Sequence, residues 1–182
     1  MTRKLLLLAV LFGLTVDSAY PQSRSSDSTR QLKAGEVVQL SDSLTARVTR
    51  SATSPFTQIK TTGNQVVVVL DFDAGKKGAT LSYKLTADPK FSDVYLTIGT
   101  QKIAPLAVIE DFRSWGSDND KEVELLDPAD KSGGVILTFE QKGSVSLLFD
   151  VPLDQARTTQ KFALRFRTLK PKDEQHSLVV SL

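Results

Sequence analysis

No cysteine occurs among the 182 residues, and histidine, tryptophan and methionine occur once each. These shortages exclude whole chemistries. Without thiols there is no thiolate nucleophile, no disulfide staple and no cysteine-bound metal. With His176 as the sole imidazole, one chain cannot assemble a multi-histidine zinc site. A serine triad would have to use that residue, near the end of the chain, and no Gly-x-Ser-x-Gly elbow is present. His176 itself is expected to be a solvated residue just before the last strand. No Gly-rich phosphate loop, internal repeat or helical periodicity of useful length appears. The 23 basic and 21 acidic side chains nearly balance, and no block of clustered Lys and Arg occurs, so a nucleic-acid partner is not expected.

What the chain does have begins with its first residues. Thr2-Arg3-Lys4 gives a basic start, Leu5 to Val16 an apolar core, and Ser18 and Ala19 small residues before Pro21. That order reads as a secretory signal peptide over 1–19, cut after Ala19 or after Ser18. The apolar run is too short to span a bilayer of about 30 Å as a helix, so no transmembrane anchor is expected after cleavage. The stretch 20–34 is rich in Ser and charge and poor in apolar residues, which predicts a flexible linker. The predicted protein is secreted or periplasmic, with one ordered domain over 35–182. A hydrophobic fraction of 40% suffices for that domain to form an ordinary core.

Within the domain the dominant period is two. Val145, Leu147, Phe149 and Val151 share one face of a strand that Pro152 ends. Phe162, Leu164 and Phe166 share a face of the next, with Lys161, Arg165 and Arg167 opposite. Leu44, Ala46 and Val48 alternate likewise, as do Leu81, Tyr83 and Leu85, then Val94, Leu96 and Ile98. The run Val66 to Leu70 is continuously apolar and suits a central strand buried on both faces. Phe56 and Ile59 are expected to tuck in from the Ser51–Gly63 connection. Ile103 to Ile109, split by Pro105, reads as an edge strand, and Leu178, Val180 and Leu182 as the closing strand. Short strands separated by turn signals predict an all-β, antiparallel sandwich.

The series Leu148-Phe149-Asp150-Val151-Pro152-Leu153-Asp154 followed by Phe162-Ala163-Leu164-Arg165-Phe166, with the Val66 to Leu70 run and the Gly35-Glu36-Val37-Val38 start, resembles a known family. It is similar to immunoglobulin-like domains of unknown function in small exported bacterial proteins and lipoproteins, akin to the mycobacterial immunoprotective extracellular proteins. The likeness runs from about Leu32 to Leu182. The chain departs at Asp73, where many relatives carry Asn, and in lacking the lipoprotein cysteine. The resemblance implies an immunoglobulin-like β-sandwich in an extracytoplasmic setting, and it brings no catalytic residues.

Residues 110–134 differ in character from the alternating strands. Phe112, Arg113 and Trp115 form an aromatic and cationic group suited to anchoring a protein or glycan partner. Asp118, Asp120 and Glu122 are hard oxygen donors close in sequence, as a calcium site requires. The same segment also reads as a solvated acidic loop, with Trp115 capping the sandwich. No cofactor is expected. The sequence thus predicts an exported, non-catalytic binding or interaction module. The competing readings are a structural or stability accessory of the cell envelope and a hydrolase using two carboxylates of the acidic segment.

Overall fold

The computed structural model describes residues 29–112, 123–155 and 157–182. Among them are thirteen strands and one short 3₁₀ helix, and no helix long and apolar enough to cross a membrane. In chain order the strands are β1 (Arg30–Lys33), β2 (Val37–Ser41), β3 (Leu44–Ser51), β4 (Asn64–Asp73), β5 (Ala79–Lys84), β6 (Val94–Ile98) and β7 (Gln101–Ile103). Then follow β8 (Ala107–Phe112), β9 (Val123–Leu125), β10 (Gly134–Phe139), β11 (Lys142–Val151), β12 (Gln160–Lys170) and β13 (Glu174–Ser181). They form two packed sheets. One has the order β2-β3-β4-β11-β8-β9; the other runs β1-β13-β12-β5-β10, with β6 also on β12 and β7 on β6.

The predicted sandwich is therefore the fold, and its centre lies where the strongest period-two patterns stand. β11 and β12 do not pair with each other; each is a central strand of its own sheet, and their apolar faces meet. Phe149 and Phe162 touch edge to face at 6.3 Å, and Phe72 packs in the same way on Phe166 at 6.1 Å. Such geometry suits the ring quadrupoles and adds to the area the rings bury. Val66, Val67, Val68 and Leu70 are all buried, as a strand covered on both sides requires.

The second cover over β4 is a satellite cluster. Phe56 and Ile59 fold back from the 52–63 connection onto Val67, Leu148, Ala107 and Ile109 on the outer face of the six-stranded sheet. Asp150 fastens that connection. It accepts from the Thr62 amide (3.0 Å), the Thr62 hydroxyl (3.0 Å) and the Gly63 amide (2.7 Å). Only glycine fits at Gly63, because a Cβ there would stand 2.1 Å from the Val151 carbonyl oxygen.

Four sequence expectations need correction. Residues 30–33 of the predicted linker form β1, which pairs in parallel with β13, so the sheet is mixed and order begins before Gly35. Backbone hydrogen bonding to an open sheet edge needs no apolar side chains, which is why composition alone missed it. The 103–109 piece is not one edge strand. Pro105 lies between β7, an edge strand, and β8, which pairs with both β11 and β9. The closing strand starts at Glu174, and His176 is inside it and buried rather than solvated.

Candidate functional site: a basic sheet face

Of the residues singled out for recognition, Phe112 ends β8, its backbone opposite Gly143 of β11. Arg113, Trp115, Asp118, Asp120 and Glu122 lie outside the described residues. The rest of the acidic segment is engaged locally. Asp127 accepts from the Ala129 amide at 2.8 Å, and Asp130 from the Ser132 amide at 2.8 Å and hydroxyl at 2.6 Å. These are side chains closing their own turns.

His176 faces the interior. It stacks on Phe166 with ring centroids 4.9 Å apart, and its Nε2 is buried without a partner among the described residues. Burial pushes the imidazole below its ordinary pKa; Glu174 opposes that shift and Arg30 adds to it.

At the β9 side of the sandwich, Glu110 and Glu124 pair with the buried Val145 and Val108, yet both glutamates are exposed at the open edge. Across the gap stands Tyr83, its hydroxyl buried and unpaired among the described residues. Burial, then the Glu110 charge, drives the phenol well above its ordinary pKa. Glu110 is raised by burial first and by Glu124 second. Charges beside a short edge strand discourage pairing by another chain. Sequence patterning missed this cluster because Tyr83 and Glu110 belong to different sheets.

The outer face of the seven-stranded sheet carries a different charge pattern. Paired residues on neighbouring strands share a face, so the register Lys33–Ser181–Lys161–Thr97–Lys102 forms one row across β1, β13, β12, β6 and β7. Strands lie about 4.8 Å apart, which spaces these three lysines roughly 9–10 Å from one to the next. Lys102 rests over the Tyr95 ring at 4.2 Å, a cation–π contact that holds its ammonium above the sheet. Further along β12, Arg165 and Arg167 point the same way. Arg167 is bound by Asp173 at 2.5 and 2.6 Å, whereas Arg165, Lys161, Lys33 and Lys102 have no ion pair among the described residues.

This face ends in a concavity. Lys76 and Lys77 of the β4–β5 connection lie beside Lys170 there. Asp73 closes the connection's first turn on the Gly75 amide (2.9 Å), and the Ala74 amide donates to the Gln141 carbonyl (2.7 Å). The result is an open groove of about 580 Å³ lined by Lys76, Lys77, Lys170, Thr80, Thr138 and Glu140, among others. The Thr80 and Thr138 hydroxyls meet at 3.2 Å. The alternation of Lys161, Arg165 and Arg167 was readable in the sequence; the addition of Lys33, Lys102 and the groove lysines required the register.

No family model matches the chain, and no curated protein matches it. Among solved structures it is similar to a family 123 glycoside hydrolase from Clostridium perfringens, with 8% identity and a TM-score of 0.36, covering 66% of this chain and 21% of the hydrolase. The chain thus spans about a fifth of that enzyme's length. It is also similar to the GAE domain of yeast GGA1, with 10% identity and a TM-score of 0.31, covering 81% of this chain and 98% of that domain. Likenesses at this level say nothing about activity.

Proposed function

We propose that the protein is an exported, non-catalytic binding module of the immunoglobulin-like kind, and that it presents the outer face of its seven-stranded sheet to an anionic ligand. The observation that carries the reading is the set of cations left free there. Lys33, Lys102, Lys161 and Arg165 are exposed and have no ion pair among the described residues. On the other sheet, Arg47 and Lys142 are met by Asp71 and Asp73. Unpaired charge of one sign on a rigid face attracts counter-charged ligands and speeds their encounter.

The test is retention of the protein on an immobilised anionic polymer as salt rises. Binding should fall steeply as the Debye length shrinks from about 10 Å at 0.1 M to about 3 Å at 1 M salt. Reversal of Lys161→Glu and Arg165→Glu together should abolish retention with the thermal midpoint unchanged. A wild-type protein that ignores every anionic polymer at low salt would remove the reading. Export is checked separately by intact mass: a chain retaining Met1 in the exported fraction contradicts cleavage near Tyr20.

A further inference from the structure

We infer that the groove at the Lys76–Lys77 tip is an oxyanion-binding subsite, and that its ligand is a linear anionic polysaccharide laid along β12. The inference rests on the binding reading above and adds the place and the chemistry. Three lysines and two threonines line one groove, the threonine hydroxyls bonded to each other, and the Ala74 amide ties the β4–β5 connection to the Gln141 carbonyl. Ammonium groups supply charge, and hydroxyl donors supply direction for a sulfate, phosphate or carboxylate substituent. Glu140 on the rim is the one carboxylate among the groove's residues, so the local balance is strongly positive.

The path out of the groove fixes the ligand's form. From Lys170 to Lys161 the strand spans about 30 Å at roughly 3.3 Å per residue, a length suited to a chain and too long for a single small anion. Along and beside it the free cations alternate with Ser82, Ser177, Ser181, Thr97, Gln31 and Gln175, polar groups suited to a hydroxylated backbone. A lipid surface fits less well, because the exposed large apolar residues here are few: Ile136, which register places beside Ser82, and Leu169 in β12. Nucleic acid fits less well too: Tyr95, the aromatic ring on the face, is occupied by Lys102 rather than free to stack a base.

The experiment is equilibrium binding of the whole protein to dextran sulfate, polygalacturonate, neutral dextran and phosphatidylglycerol vesicles. Wild type should bind the first two and not the neutral polymer. Lys77→Glu with Lys170→Glu should weaken binding more than about tenfold, as loss of a convergent charged contact does. Thr80→Val with Thr138→Val, which changes no charge, should weaken it about threefold, as loss of a directional hydrogen bond does. Thermal midpoints identify any variant that fails to fold, and Arg47→Glu on the other sheet, whose partner Asp71 takes no part in the groove, serves as the folded charge control. If the threonine pair has no effect and Lys33→Glu with Lys102→Glu costs as much as the groove pair, the subsite is wrong while the basic-face reading stands. If vesicles bind more tightly than either polysaccharide, the polysaccharide assignment is overturned. If no anionic probe binds, both readings fall.

Discussion

The two outer faces of this sandwich come from the same alternating pattern and end in opposite conditions. On the six-stranded sheet the outer face is half covered: the 52–63 connection lays Phe56 over Val67, Ala107 and Leu148. Where it is bare, its cations are paired, Arg47 with Asp71 at 2.9 Å and Lys142 with Asp73 at 3.7 Å. On the seven-stranded sheet no comparable buried cluster covers the face among the described residues, and cations such as Lys33, Lys161 and Arg165 have no ion pair there. A strand's alternation decides which side chains leave the core; it does not decide what they meet outside. Covered or internally paired groups contribute to stability. Free ones contribute little to it and remain available to a ligand.

The sharpest way to break this comparison is to remove the cover. Phe56 and Phe149 are both fully buried, one in the satellite cluster and one in the main core. Phe56→Ala and Phe149→Ala should each destabilise by about 3–5 kcal/mol, from lost burial plus the cavity left behind. Denaturant midpoints at constant slope measure both. A near-neutral Phe56→Ala would mean that the outer cluster is not a core, and that the two faces are more alike than the packing indicates.

Next in size is the fastening of the cover. Asp150→Ala removes the acceptor of three hydrogen bonds and should cost about 1–3 kcal/mol. Burial works against the Asp150 charge, but the Thr62 and Gly63 donors outweigh it and hold the carboxyl below its ordinary value of 3.8. A carboxyl depressed on folding stabilises fully above the unfolded value, and that contribution is lost as pH falls through the folded one. Unfolding curves below pH 3.8 should therefore show a component in wild type that Asp150→Ala lacks.

Much of this architecture was legible in the chain, and the parts that were not share a cause. Val145 to Val151 and Phe162 to Phe166 announced the two central strands because local alternation reports directly on burial. Phe56 was readable as a lone aromatic in a polar connection. β1 was not, because Arg30 to Lys33 carry no apolar period and are ordered by pairing with a strand almost the whole chain away. The same holds for the candidate site. Lys33, Lys161 and Lys102 are unremarkable surface residues in sequence and become a row only through the register of five strands. Tyr83 and Glu110 meet only across the gap between sheets. His176 looks like a surface residue in sequence because the apolar alternation of the last strand begins only at Leu178, two residues after it.

His176 gives a smaller effect, separable by pH. Its folded pKa lies below the ordinary 6.5 because burial disfavours the cation; Glu174 pulls the other way and Arg30 reinforces burial. As pH falls below 6.5 the unfolded chain takes up this proton first, so stability is full above 6.5 and declines towards the lowered folded value. Replacing the ring by His176→Phe keeps an aromatic on Phe166 and should flatten that part of the profile, measured as thermal midpoint against pH. An unchanged slope would assign the mild-acid loss to a group other than His176; Glu110 could not supply it, because a carboxyl raised on folding gains stability as pH falls.

The smallest expected effects decide whether paired and free cations differ in kind. Arg47→Ala breaks an ion pair whose side chains are 50% and 37% exposed. Solvent screens such a pair, so the loss should be about 0.2–1 kcal/mol, reduced further at high salt. Arg165→Ala removes an exposed side chain with no ion pair and should cost about 0.5 kcal/mol or less, independent of salt. The two variants should then separate on an anionic polymer at low salt. Arg165→Ala should elute earlier than wild type, and Arg47→Ala should elute with it, because removing Arg47 leaves the basic face intact. If Arg47→Ala weakens retention as much as Arg165→Ala, retention follows net charge alone. The difference between the faces would then be one of stability and not of recognition.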